Sequence, residues 1–179
     1  MLLVNSKRKR MTIRQFSFFC SLLFCFSAFY VSAQGDRKIK LIFAGDIMVH
    51  KGQLSSAKVK GNKVFDFSEC FQFVSPVLHG ADLVIGNLET TLPGEPPYAG
   101  YPTFRTPDIF AKELRYAGFD VLMTANNHSN DARFEGLIHT IEALDQAGFY
   151  QTGTFQSEEE RNAFYPLVVY KKGFKLVFL

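Results

Sequence analysis

Three short apolar runs in this 179-residue chain each stop at a cluster of polar, chemically capable side chains. No other feature constrains the fold as much. Residues 39–45 lead into Asp46, Met48 and His50. Residues 81–86 lead into Asn87, Glu89 and Thr90. Residues 119–124 lead into Asn126, Asn127, His128, Ser129, Asn130 and Asp131. Runs of this length and composition, stopped by Gly or Asn, read as β-strands. Helical patterns lie between and after them. Thr106 is placed to cap a helix with Pro107 at its first position, Phe110, Leu114 and Ala117 share one face, and Gly118 stops it. Leu137, Ile141, Leu144 and Ala147 recur at helical spacing before Gly148. Residues 166–170 and 174–179 read as two further strands joined at Lys171, Lys172 and Gly173. The βαβαβ order predicts an α/β fold with a parallel sheet. In such a sheet the carboxyl ends of the strands share one edge, where ligands bind. That edge should gather Asp46, Asn87, Glu89, Asn127 and His128. Residues 92–101, rich in Pro and Gly, form a long loop of the kind that is often functional.

The donors in these clusters are carboxylate, amide and imidazole. This set suits Mn, Zn, Fe or Mg rather than Cu(I) or an iron–sulfur cluster. A metal pair there would hold a substrate oxygen and activate a water. Glu89 or His128 can also transfer protons without a metal. The plainer alternative for Asp46, Asn130 and Asp131 is a turn former or helix cap. His50, one turn beyond Asp46, is a further candidate ligand. His79 and His139 read as surface residues, and Cys70 as a buried apolar residue. Lys51, Lys58, Lys60 and Lys63 read either as a solvated face or as a local patch that attracts an anionic polymer.

The N-terminus has a separate logic. Lys7, Arg8, Lys9, Arg10 and Arg14 precede an apolar run over residues 16–31, and Ser32 and Ala33 close it. Basic, apolar and small-residue parts in that order make a signal peptide over 1–33, cleaved after Ala33 or retained as an anchor. The mature domain is then 34–179, exported to the periplasm or cell envelope. Cys20 and Cys25 sit inside the apolar run, with Phe24 before Cys25, which argues against a lipoprotein. Cleavage leaves Cys70 alone, without an internal disulfide partner. The formal charge of +3 therefore says little about partners: all five cations of residues 1–33 go with the leader, leaving 15 basic against 17 acidic residues. Nucleic acid is not an expected partner. The chain stops within the apolar run 174–179, which suggests a truncated product or a fragment.

Gly45-Asp46-Ile47-Met48, residues 82–91 with their Gly-Asn-Leu-Glu-Thr-Thr ending, residues 100–107 and residues 118–128 with Ala-Asn-Asn-His together resemble the bacterial CapA, or PGA-cap, family. Gly136, Leu137, Thr140, Leu144, Gly148, Thr152 and Gly153 extend the match. The family is similar to calcineurin-like metallophosphatases, so the resemblance implies the N-terminal half of an αββα sandwich. It makes Asp46 a metal-ligand carboxylate of the first strand. It makes Asn127 a ligand and His128 a proton donor or transition-state stabiliser. It places Glu89 at the acidic position of the second strand, where ordinary phosphoesterases have Gly-Asp. On this reading the metal set is Asp46, Glu89, Asn127 and His128, the catalytic pair is Glu89 and His128, and Asn87 and Asn126 bind substrate. A divalent metal is the implied cofactor. The implied function is synthesis or export of a poly-γ-glutamate capsule, with a metal-dependent phosphoesterase or γ-glutamyl hydrolase or transferase activity open. The implied partners are an anionic polymer such as poly-γ-glutamate and capsule-synthesis membrane proteins. The alternatives are a non-enzymatic envelope component that binds the polymer, and an inactive fragment.

Overall fold

Strands β1 (Leu41–Ile47), β2 (Leu83–Leu88), β3 (Val121–Met123) and β4 (Tyr150–Thr152) pair in that spatial order, every pair parallel. The computed structural model describes residues 37–59 and 64–179. The predicted leader over 1–33, and Lys60 and Lys63 of the basic patch, lie outside the described residues. Among the described residues no helix is long and apolar enough to cross a membrane.

Alternation along β2 builds two cores. Val84 and Leu88, with Leu122 of β3, face a helical layer with Phe110, Leu114 and Leu144. Leu83 and Ile85 face the other way, against Val121 and Val169. Successive strand side chains point to opposite faces, so a strand apolar on both faces must be covered on both. On one face the cover comes from α1 (Lys51–Ala57), the 3-10 turn Ser68–Phe71, α2 (Ser75–Leu78), α3 (Ile109–Ala117) and α4 (Arg133–Gln146). On the other it is the antiparallel hairpin of β5 (Leu167–Lys171) and β6 (Phe174–Phe178), which contributes Leu167, Val169, Leu176 and Phe178. A short helix, α5 (Glu158–Phe164), leads into it, with the Ser157 hydroxyl accepting from the Glu160 N–H as its cap. The layers run helices, parallel sheet, hairpin. This is the α/β class predicted from the sequence.

Several boundaries differ from the sequence expectation. β1 runs on to Ile47, so Asp46 lies in the strand's last turn of pleat rather than after it; a register shift between Phe43 and Asp46 re-aims that end. α3 begins at Ile109 with Asp108 before it, because Thr106 is fully buried against Thr90, their hydroxyls 2.8 Å apart. The turn of the hairpin is Lys172 and Gly173, both with positive φ, as a two-residue turn matching strand twist requires. Lys172 also reaches Asp82 at 2.6 Å and so pins the hairpin to the start of β2. Strand β4 and helices α1, α2 and α5 escaped the pattern reading; β4 is three residues long, too short to show alternation. Cys70 is exposed, not buried, because it sits on a 3-10 turn whose residues include none that are buried.

Candidate functional site

Because all four strands are parallel, their carboxyl ends lie on one edge, and the polar clusters after β1, β2 and β3 meet there. Asp46 and Asn87 are register partners across β1 and β2. Asn87 Nδ2 donates to Asp46 Oδ1 at 2.8 Å and to Glu89 Oε2 at 3.4 Å. One amide thus bridges two carboxylates. Glu89 is positioned by its own backbone, whose N–H donates to the Ile47 carbonyl at 2.9 Å. Its carboxyl is held above the ordinary carboxylate range, first by burial, then by the adjacent Asp46 charge and a hydrogen bond to that group; His128 opposes the shift. No Lys or Arg is ion-paired with Asp46 or Glu89 among the described residues.

The turn after β3 supplies the rest. Asn126 Nδ2 donates to Asn87 Oδ1 at 3.0 Å and to the Leu88 carbonyl at 2.9 Å, and its Oδ1 accepts the His128 N–H at 3.0 Å. Its amide is fully committed to bracing this turn against β2. His128 Nε2 faces Glu89 Oε1 at 3.8 Å, each side chain 12% exposed. His128 Nδ1 lies 2.7 Å from Asp131 Oδ2. Asn127, by contrast, is exposed and has no side-chain hydrogen bond among the described residues. Of two adjacent asparagines, the structure therefore draws Asn126 into the cluster.

A wall comes from the long loop. Phe104 is 1% exposed and meets the His128 ring edge-on at 4.7 Å and the His50 ring at 5.0 Å. His50 is itself exposed, at the entry to α1, where its N–H donates to Gln53 Oε1. The loop approaches α1 closely: a Cβ on the buried Gly100 would lie 2.5 Å from the Lys51 nitrogen. Of the residues read as peripheral, His79 is exposed and bonded to Ser75, and His139 is half-buried, 2.6 Å from Asp108.

The chain matches, over residues 40–179, the family described as bacterial capsule synthesis protein PGA_cap. It belongs to that family. Among curated relatives, the PGA biosynthesis protein CapA of Bacillus subtilis is 28% identical over 114 residues, 62% of this chain and 29% of that protein. Two proteins of Sinorhizobium fredii, y4sH and y4uA, are 32% and 30% identical over 52% and 69% of this chain, and 22% and 26% of their own lengths. The chain spans about a quarter of the length of the curated relatives it matches.

In this PGA_cap chain the site is an oxygen-rich pair of carboxylates with one imidazole beside it. The like-charge crowding at Asp46 and Glu89, opposed by His128 and by no ion-paired Lys or Arg among the described residues, fits a cation by the chemistry of its donors. The set is partial, for among the described residues no group of three or more His, Cys, Asp and Glu side chains is arranged to hold a metal ion. The residues that sequence reasoning passed over are Asp131, read as a turn former, and Phe104. Asp131 carried a signal, three residues after His128 within one turn. Phe104 carried none, since its role depends on where the loop folds back.

Proposed function

We propose that this chain carries an acid–base site of capsule synthesis acting by hydrolysis or transfer, either at the γ-glutamyl linkage of a poly-γ-glutamate-type polymer or at a phosphoester. The observation behind this reading is the pairing of His128 Nε2 with Glu89 Oε1 at 3.8 Å beside Asp46, on the carboxyl edge of a parallel sheet. A carboxyl and an imidazole facing one small space are the groups that take a proton from an attacking hydroxyl and give one to a leaving group. Burial and the Asp46 charge keep Glu89 protonated to higher pH than an ordinary glutamate, which suits it to the acid role whenever it holds no cation. Asn87 and Asn126 hold the frame: the first keeps the two carboxylates together, the second keeps His128 against β2. The printed name of the Bacillus relative supports the polymer assignment.

Asp46 and Glu89 are the residues that would hold a divalent cation, with His128 and Asn127 as the further ligands implied by the resemblance. Such an ion supplies Lewis-acid polarisation of a substrate oxygen. The same reading includes export, with the basic and apolar N-terminal segment directing the chain to the envelope beside capsule-synthesis membrane proteins.

The test incubates the full chain with poly-γ-glutamate, and separately with p-nitrophenyl phosphate, with and without Mg²⁺, Mn²⁺ or Zn²⁺. Polymer length and phenolate release are followed. Turnover that falls by about 100-fold or more in both Glu89→Gln and His128→Gln supports the acid–base site. Polymer binding without turnover, unchanged in both variants, assigns the chain to the non-enzymatic binding role instead. The absence of both turnover and binding refutes the proposal.

A further inference from the structure

Asp131 is the group in this cluster whose placement is not explained by the local backbone. It sits just before α4, where a carboxylate would ordinarily cap the helix. The helix has no side-chain cap at all. The carboxylate turns inward instead, 12% exposed, and a single oxygen, Oδ2, takes two contacts: His128 Nδ1 at 2.7 Å and the Phe104 N–H at 2.6 Å.

The second contact ties in the long loop. The Phe104 peptide is held on both sides. Its N–H donates to Asp131, and its carbonyl accepts from the Thr91 N–H at 3.2 Å and the Thr91 hydroxyl at 2.7 Å. Thr91 follows Glu89 by two residues. Thr106 N–H returns to the Thr91 carbonyl at 2.8 Å, closing residues 91–106 into a strap whose aromatic ring lies edge-on to the imidazole.

We propose that Asp131 is a positioning residue that ties this strap to His128 and holds the imidazole as its Nδ1–H tautomer, with the Nε2 lone pair presented to Glu89. The inference deepens the acid–base reading above and rests on it. The physical reason is that a carboxylate oxygen only accepts, so the ring nitrogen facing it must carry the proton. The opposite nitrogen is then the one able to accept a proton from a substrate. Hydrogen bonds to a carboxylate are short and stronger than neutral ones, so the preference holds against ring rotation. Because the same oxygen also receives Phe104, displacing the strap and turning the ring are one event.

The experiment reads the tautomer directly and needs neither substrate nor metal. The full chain, labelled with ¹⁵N, is held at pH 8 with a chelator. Long-range ¹H–¹⁵N spectra of the imidazoles are recorded, in solution or in the solid, and His128 is assigned by its loss in His128→Gln. The Nδ1–H form should dominate at His128 by roughly tenfold. In Asp131→Asn one atom must still face both groups, so an amide N–H turned to Nδ1 leaves the Phe104 N–H without its acceptor. Reversal of the tautomer should therefore come with faster exchange of the Phe104 amide, by roughly tenfold, and a retained tautomer with exchange near the wild-type rate. In Asp131→Ala the preference should vanish, and Phe104 exchange should rise by roughly tenfold. An Nε2–H tautomer in the wild-type chain overturns the proposal without any variant, as does an unchanged preference in Asp131→Ala. Those results leave the polymer chemistry standing. The expected tautomer in a chain without turnover leaves the positioning role standing and refutes the function.

Discussion

Replacing Asn126 with alanine removes three hydrogen bonds at once: to Asn87 Oδ1, to the Leu88 carbonyl and from the His128 N–H. Each is worth about 0.5–1.5 kcal/mol net, and a partner left dry loses more than that. Leu88 is 1% exposed, so its carbonyl has little access to water, whereas Asn87 and His128 are half-buried and regain some solvation. The sum is about 2–3 kcal/mol, a large share of the roughly 5–15 kcal/mol by which a domain is stable. Urea unfolding of the full chain should show it as a midpoint lowered by about 1–2 M at an unchanged slope. The internal control is the next residue. Asn127 is exposed with no side-chain hydrogen bond among the described residues, so Asn127→Ala should stay within about 0.5 kcal/mol of wild type. Equal losses in the two variants, or a larger loss in Asn127→Ala, would refute the claim that the first asparagine is the brace.

Three further outcomes are expected. Gly100→Ala places a Cβ about 2.5 Å from the Lys51 nitrogen and 3.0 Å from His50, both backbone, so the strap must lift from α1; a thermal midpoint unchanged from wild type would show that the loop does not bear on the helix. Burial, with the Asp66 charge second, holds the Glu113 carboxyl above its ordinary 4.5. Such a carboxyl contributes stability below its unfolded value that is lost as pH rises through the folded one. Glu113→Gln should therefore match wild type near pH 4, melt higher at pH 7, and contradict this account if it melts lower there. In calorimetric titration with Mn²⁺, Asp46→Asn and Glu89→Gln should each weaken binding by roughly tenfold or more, and wild-type affinity in both would remove the carboxylate pair as the cation site.

Much of this architecture was legible from local pattern. Strands β1, β2 and β3 announce themselves by apolar runs that end at polar residues, and the hairpin by Lys172 and Gly173. The parallel order follows from helices alternating with strands, and the convergence of Asp46, Asn87, Glu89 and His128 follows from that order. These inferences work because the pleat and the helix impose fixed periods on burial, which one sequence displays.

The choice of Asn126 over Asn127, the inward turn of Asp131 and the placement of Phe104 against His128 were set elsewhere. Adjacent asparagines are chemically identical, and only the neighbouring strand, with its Leu88 carbonyl and Asn87 amide, distinguishes them. Asp131 has the spacing of a helix cap, and it becomes a partner of His128 only because the strap brings a peptide N–H to the same oxygen. Local sequence determined which chemical groups stand at the sheet edge. Contacts between residues 24 to 39 positions apart decided which way those groups face, since a side chain's direction answers to whatever packs on it in space.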